Sequence, residues 1–305
     1  MRIPNITMSD AVVERLNTLR NKQNQINQQL ATGQRISRAS EDPQSASRVM
    51  SLRSEMAITQ QYGKNVDLAM SISQATGSAL DSLSSTVERA GVLATLAVSA
   101  TASPAQKASY AVEMNQLMLQ AMQAGNTEFN GQFLFNGTNT AVQPYNGTGA
   151  DLNHPDDLDA TKTPSASPGG DGLSIQLSDS LAVSPYNRGD YNVKITTLIL
   201  TLRDARNAME ANDTAALTTA RNNLKTSEAD IVAAVADNAS GRARLDSIKE
   251  AASQRFMDVG ALIGGETDVD IAQSMVDLTK TQTAYQAALQ AGAQVLRLSL
   301  LDYIR

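Results

Sequence analysis

Residues 43–98 read PQSASRVMSLRSEMAITQQYGKNVDLAMSISQATGSALDSLSSTVERAGVLATLAV, and one set of positions recurs through them in unbroken alternating steps of three and four: Val49, Leu52, Met56, Thr59, Gly63, Val66, Met70, Ser73, Gly77, Leu80, Ser84 and Val87. That rhythm keeps one stripe of a helix facing a partner helix, as in a coiled-coil seam. A helix from Pro43 to about Val98 would be roughly 80 Å long at about 1.5 Å per residue. A compact globule of 305 residues cannot enclose such a rod, so the stretch predicts an elongated bundle. The small seam residues Gly63, Ser73, Gly77 and Ser84 would let partner helices approach closely, at a propensity cost of about 1 kcal/mol for each Gly.

Upstream, Val12, Leu16, Leu19, Gln23, Ile26 and Leu30 step by four and three, the stripe of an amphipathic helix with polar Gln23 as its exception. Thr32-Gly33 ends it, with Gly33 suited to a left-handed C-terminal conformation. In Ser40-Glu41-Asp42-Pro43, Ser40 or Asp42 can cap the long helix and Pro43 fits its first turn. Downstream, Ser103-Pro104 opens a third helix over about Ala105–Ala124, with Tyr110, Met114, Leu117, Met118 and Ala121 on its apolar side.

Residues 125–196 are dense in Gly, Asn, Asp, Pro and Ser, and pairs such as Asn136-Gly137, Asn146-Gly147, Pro168-Gly169-Gly170 and Asp171-Gly172 punctuate turns. Between them Leu173, Ile175 and Leu177 alternate, as do Tyr191, Val193 and Ile195, which predicts short strands in a small β-rich insertion. Residues 151–170 read as an exposed loop. Helical texture then runs from about Leu198 to Ile263 through Leu217, Leu224, Ile231, Val235, Leu245, Ile248, Ala252, Phe256 and Val259, with Gly241 either a bend or a tolerated small residue. Ile263-Gly264-Gly265-Glu266 is expected to break it. The last helix should start near residues 268–270, where carboxylates favour an N-terminus, with the stripe Ile271, Met275, Leu278, Gln282, Tyr285, Leu289, Gly292 and Leu296.

The expected fold is mainly α: an elongated bundle of long heptad helices with a small β-rich central insertion, whose termini form a paired coiled coil on assembly. Residues 1–40 and 268–305 would form the terminal assembly domain, 41–130 and 197–267 a long-helix rod, and 131–196 the outer insertion. A pair of end helices buries little surface alone, so neighbours should cover the other faces. The residues expected at that interface are Leu16, Leu19, Ile26 and Leu30 on the first helix, and Met275, Leu278, Tyr285, Leu289 and Leu296 on the last.

Composition bounds the function. The formal charge is -6, with 25 Lys plus Arg against 31 Asp plus Glu, which speaks against a nucleic-acid binder. Residues 145–190 hold seven Asp against one Lys and one Arg, so the acidic middle suits a face turned to water. There is no Cys, which removes disulfide and thiol chemistry, and no apolar run of signal-peptide or membrane-spanning length.

No site chemistry converges. His154 is the single histidine, and with Asp151, Asp156 and Asp157 it reads as a solvated loop, since no calcium-loop spacing is met. No nucleophile elbow appears. Gly131, Gly137 and Gly147 form no dinucleotide fingerprint and read as turn glycines. The Asn136-Gly137-Thr138 and Asn146-Gly147-Thr148 triplets match a glycosylation pattern that carries little weight without a secretory signal. Arg35, Arg38, Arg48 and Arg53 read as a solvated face or as partners of Glu41, Asp42 and Glu55 rather than a phosphate surface. Neither a catalytic, a metal nor a cofactor site is expected.

The two ends together resemble the flagellin superfamily. Met1-Arg2-Ile3-Pro4-Asn5, Leu30-Ala31-Thr32-Gly33-Gln34-Arg35-Ile36 with Ser40-Glu41-Asp42-Pro43, and Thr281-Gln282-Thr283-Ala284-Tyr285-Gln286-Ala287-Ala288-Leu289-Gln290 carry the likeness, with Glu41 where an Asp is commoner. Pro43, the run Gly131-Gln132-Phe133-Leu134-Phe135-Asn136-Gly137 and the Leu301-Asp302-Tyr303-Ile304 ending resemble members at the hook-filament junction more than filament flagellins. The resemblance implies a non-enzymatic structural subunit, outside the cell on the bacterial flagellum, exported through the flagellar type III apparatus without a cleaved signal peptide. Its implied partners are further copies of itself in a ring or helical layer, a hook-associated junction protein on the hook side, flagellin on the filament side and an export chaperone at the C-terminal helix, with no nucleic acid and no membrane. Filament flagellin itself is the alternative.

Overall fold

The computed structural model describes residues 4–137, 140–145, 175–178, 181–183 and 189–304. The opening Met1-Arg2-Ile3, His154 with its neighbouring Asp residues, the 151–170 loop, Leu173 and the turn pairs from Asn146-Gly147 to Asp171-Gly172 lie outside them, as does the side chain of Leu296. Among the described residues six helices and four short strands follow in order: α1 Pro4–Thr32, α2 Pro43–Val98, α3 Pro104–Gly125, β1 Glu128–Phe129, β2 Gln132–Phe133, β3 Ile175–Ser178, β4 Leu181–Val183, α4 Gly189–Glu210, α5 Thr214–Thr267 and α6 Ile271–Ile304. The described fold is mainly α with two small antiparallel hairpins.

Each boundary has a local cause. Gly33 ends α1 at φ +71°, its N–H donating to the Gln29 carbonyl at 2.8 Å. Asp42 caps α2, its Oδ1 accepting from the Ser45 N–H at 3.1 Å, with Pro43 next in the chain. Ser103 and Gln106 form a reciprocal capping box at α3, where the Gln106 N–H meets Ser103 Oγ at 3.3 Å and the Ser103 N–H meets Gln106 Oε1 at 2.8 Å. β1 and β2 join through Asn130 (φ +52°) and Gly131 (φ +74°), the left-handed pair that a two-residue hairpin needs.

Three expectations are corrected. Tyr191, Val193 and Ile195 are helical: α4 starts at Gly189, Tyr191 and Ile195 are buried, and Val193 is 49% exposed. Tyr191, Ile195, Leu198, Ile199 and Leu202 step at helical spacing, so the three-residue alternation was the start of a helical stripe. The helical run does not continue unbroken from Leu198 either. It stops at Glu210, Asn212 turns left-handed (φ +54°), and Asp213 Oδ1 accepts from the Ala215 and Ala216 N–H groups to start α5. Nor do Gly264 and Gly265 break α5, which continues to Thr267. Two glycines near a helix end cost about 1 kcal/mol each, and the loop bonds beyond them hold the last turn. Gly241 is likewise a tolerated residue within α5.

The chain divides into two units, each with its own contacts: residues 59–254, here the central unit, and residues 1–58 with 255–305, the terminal unit. The central unit holds one apolar core extending in sequence from Val66 to Leu245, built on Ile72, Leu80, Leu83 and Leu93 of α2, Met114 and Met118 of α3, and Ile195, Leu198 and Leu202 of α4. Its α2 stripe is wider than the seam read from sequence. Val66, Leu80 and Val87 are buried as expected, but so is a second set, Ala69, Ile72, Ala79, Leu83 and Ala90. The small seam residues do bring α5 close at one place. Ser73 Oγ lies 2.8 Å from Asn238 Oδ1, and a Cβ on Gly77 would sit 2.9 Å from Asn238 Nδ2.

The hairpin region is fastened by amides. Asn126 pairs with the Tyr145 backbone in both directions, at 2.8 and 2.9 Å, and the buried Tyr145 hydroxyl donates to Asn192 Oδ1 at 2.8 Å. Burial pushes that phenol above its ordinary pKa.

Candidate assembly interface

In the terminal unit α1 and α6 pack together. They run antiparallel: Gln34 after α1 forms an antiparallel bridge with Asp268 before α6, and at the far end a Cβ on Gly292 would meet Val12 Cγ1 at 2.9 Å. Only glycine lets the two backbones approach so closely there.

The loops beside this pair form a clamp. The Arg35 N–H donates to the Thr267 carbonyl at 2.7 Å and the Val269 N–H to the Gly33 carbonyl at 2.9 Å. The Arg35 guanidinium donates to the Glu266 carbonyl at 2.7 Å and pairs with Asp42 at 3.4 Å, while Arg48 reaches the Glu266 carboxylate at 3.1 Å. Glu41 accepts from the Ser37 N–H at 2.9 Å, the principal cause holding its carboxyl below the ordinary value. Asp42 is held low by hydrogen bonds from Ser45, side chain first and backbone second, with Arg35 adding to the effect. Glu55 pairs with Arg255, whose Nε donates at 2.8 Å. Arg35, Arg48, Glu41, Asp42 and Glu55 are therefore ion-pair or capping residues. The clamp went unread because its halves lie at opposite ends of the chain and share no local pattern; Gly33 was its one local signal.

Of the expected interface residues, Ile26 is buried and Leu16, Leu19, Leu30, Leu278 and Tyr285 are half-buried. Met275 and Leu289 remain 53% and 46% exposed. The face of α6 with the most cover is Leu278, Thr281, Tyr285, Ala288 and Gly292, in which Thr281 and Ala288 went unnoticed because they are polar or small. The apolar stripe on α6 is wider than one partner helix can cover, so Met275 and Leu289 fall on its open edge. Met275, Val276, Thr279, Lys280, Thr283, Ala284 and Ala287 line a mainly apolar groove of about 710 Å³ there.

The balance of burial is lopsided. Among the described residues, the terminal unit holds three buried apolar side chains, Ile26, Val49 and Val259. Nine large apolar side chains among the described residues of the same unit are exposed: Val13, Met50, Ile58, Met257, Leu262, Ile271, Met275, Val276 and Leu289. Among the described residues no three His, Cys, Asp or Glu side chains converge on a metal site, and no helix is long and apolar enough to cross a membrane.

Residues 3–140 match the family model described as the bacterial flagellin N-terminal helical region. The match covers the N-terminal part of the chain. Its fold is shared with FlgL of Bacillus cereus, with a TM-score of 0.58 at 19% identity over 70% of this chain and 99% of that one. A Vibrio parahaemolyticus protein assigned as a flagellar hook-associated protein has a TM-score of 0.57 at 15% identity, covering 75% of this chain and 100% of its own. No curated protein matches the sequence. The N-terminal motifs of the superfamily resemblance lie within the matched residues, and the run from Leu30 to Pro43 builds the Gly33–Asp42 half of the clamp.

Proposed function

We propose that this chain is a member of the flagellin superfamily and a structural subunit of the flagellar axis that joins hook to filament as a junction layer. The observation that carries the reading is the terminal unit's excess of exposed over buried apolar side chains. Such a unit is marginal alone and gains stability when neighbours cover it, which couples its ordering to assembly. Leu16, Leu19, Ile26, Leu30, Met275, Leu278, Tyr285, Leu289 and Leu296 are the proposed interface. The terminal unit takes the role of assembly domain, with the long helices of the central unit as rod and the hairpin region as outer insertion.

The partners follow from the same reading: copies of this chain within the layer, a hook-associated junction protein on one side, flagellin on the other, and an export chaperone holding α6 beforehand. Marginal terminal helices also suit export of an unfolded chain without a cleaved signal, to a site outside the cell. The shared fold with hook-associated proteins supports the junction over the filament, while the flagellin N-terminal region would suit either.

Two measurements test this. Limited proteolysis of the monomer should remove both ends and leave a core near residues 59–254; ends as resistant as the core would favour a folded adaptor instead. Filament growth on isolated hooks should require this chain in addition to flagellin. Growth from this chain alone into long filaments would make it the filament's own building block.

A further inference from the structure

The covered faces of α1 and α6 fit more than one alignment. Counting away from Val12 and Gly292 in opposite directions along the two helices pairs Leu16 with Ala288, Leu19 with Tyr285 and Ile26 with Leu278, and all of these are buried or half-buried. A slip of seven residues, roughly 10 Å at about 1.5 Å each, brings the same face round again. Leu19 then meets Gly292, Gln23 meets Ala288 and Ile26 meets Tyr285. Helix α6 runs on to Ile304, so there is helix for α1 to slide along. Nor does the covalent chain forbid it. Residues 33–42 between α1 and α2 would reach about 35 Å if extended, yet they fold back so far that Arg35 lies 3.4 Å from Asp42.

We propose that Arg35 is a positioning residue that sets the register of α1 on α6, and thereby which stretch of α6 a neighbouring subunit meets; that last step rests on the assembly reading above. Arg35 lies on the connection leading from α1, and its guanidinium reaches both flanking helices. Nη2 donates to the Glu266 carbonyl in the last turn of α5 at 2.7 Å, and Nη1 to Asp42 before α2 at 3.4 Å, with Ser45 Oγ at 3.5 Å. Charged donors make the stronger hydrogen bonds, and the planar fork fixes direction as well as distance. With residue 35 held beside the end of α5, the backbone bonds from the Arg35 N–H to Thr267 and from the Val269 N–H to Gly33 close just before α6 begins. Helix α1 therefore enters the pair at one height. Arg48 also reaches the Glu266 carboxylate, at 3.1 Å, but from α2 itself, so it joins α2 to α5 and leaves α1 free to slide. A slip by seven would set Leu30 against Thr281 and strip Leu278 of its partner.

Because the chain has no cysteine, pairs of introduced thiols report the register directly. Leu16→Cys with Ala288→Cys marks the register described, and Gln23→Cys with Ala288→Cys marks the slip. A disulfide needs Cα atoms about 4.4–6.8 Å apart, so one alignment does not serve both pairs. In the full-length chain the first pair should oxidise at least tenfold faster than the second. Arg35→Gln should lower that ratio at least tenfold, Arg35→Lys, which keeps the charge without the fork, should fall between, and Arg48→Gln should stay within twofold of the parent. A ratio unmoved by Arg35→Gln overturns the inference, as does an Arg48→Gln chain that shifts it equally. If both disulfides slow together in Arg35→Gln, the side chain merely fastens α1, which is equally fatal. Should the Arg35→Gln chain not fold, Arg35→Lys decides by the same ratio. On isolated hooks Arg35→Gln should need at least tenfold more protein for half-maximal incorporation, and closing the Leu16→Cys, Ala288→Cys disulfide beforehand should restore it to within twofold. A shifted register with unchanged incorporation overturns the last step, whereas a parent that never incorporates sinks the assembly reading and leaves the register result standing.

Discussion

The central and terminal units are built from the same kind of helix and end in opposite states. Along α2, Ile72, Leu80 and Leu83 of the central unit are fully buried, while Met50 and Ile58 of the terminal unit are 68% and 46% exposed. Of these five only Leu80 lies on the heptad seam, which continues across both stretches and is covered in both, with Val49 buried and Leu52 and Met56 half-buried in the terminal unit. Periodicity therefore finds the covered seam, and the number of partners within the chain decides how far cover spreads to the apolar residues on either side of it. The central unit packs four helices and two hairpins around one core; the terminal unit leaves α1 and α6 chiefly with each other.

The sharpest way to break this comparison is Leu289→Asp. Leu289 is 46% exposed, so monomer stability should change by less than about 1 kcal/mol, while incorporation on hooks should be lost because a carboxylate would be buried. Normal incorporation with a large fall in monomer Tm would reverse the assignment of that face. In the central unit the signs invert. Leu198→Ala, at a position with no exposure, should cost about 2–5 kcal/mol by opening a cavity, read as a fall in Tm or in denaturant midpoint. Gly125→Ala comes next, because its new methyl would run into the Tyr145 ring, whose Cδ2 lies 2.7 Å from the Cβ position. A loss of about 1–3 kcal/mol is expected, with amide exchange rising around Asn126 and Tyr145.

The smallest effect is acid loosening of the terminal clamp. The Glu41 and Asp42 carboxyls are held below their ordinary values, so the native state favours their charged forms. Their contribution is present above the unfolded pKa values of about 4 and is lost as pH falls through the lower folded values. Amide exchange of residues 33–45 should therefore rise below about pH 4 before the central core responds. Simultaneous loss in both units would show that the clamp has no separate titration.

Much of this was legible. The α2 seam, the ends at Gly33, Asp42-Pro43 and Ser103-Pro104, and the β3 alternation of Ile175 and Leu177 are local signals, and local chemistry decided them. Tyr191, Val193 and Ile195 misled because three residues fit a period of two as well as they fit the start of a helical stripe; only Leu198 and Leu202 beyond them break the tie. The Asn212 break was passed over, although Asn212-Asp213 joins a residue that tolerates the left-handed region to a good cap. The bonds between Arg35 and Thr267 or Glu266 had no signal at all, since no local property of either segment specifies a partner more than two hundred residues away. The interface residues divide the same way. Ile26, Leu278 and Tyr285 could be named from the stripe, but which edge of α6 would be left open depended on where Gly292 admits α1.

That approach of Val12 to Gly292 joins positions 280 residues apart. Whichever end emerges first from the ribosome or from a narrow conduit, its helix must wait for almost the entire polypeptide to follow before its mate arrives. The central unit can mature during that delay, so the timetable of folding is written into the connectivity: the body sets first, and the terminal unit is finished last.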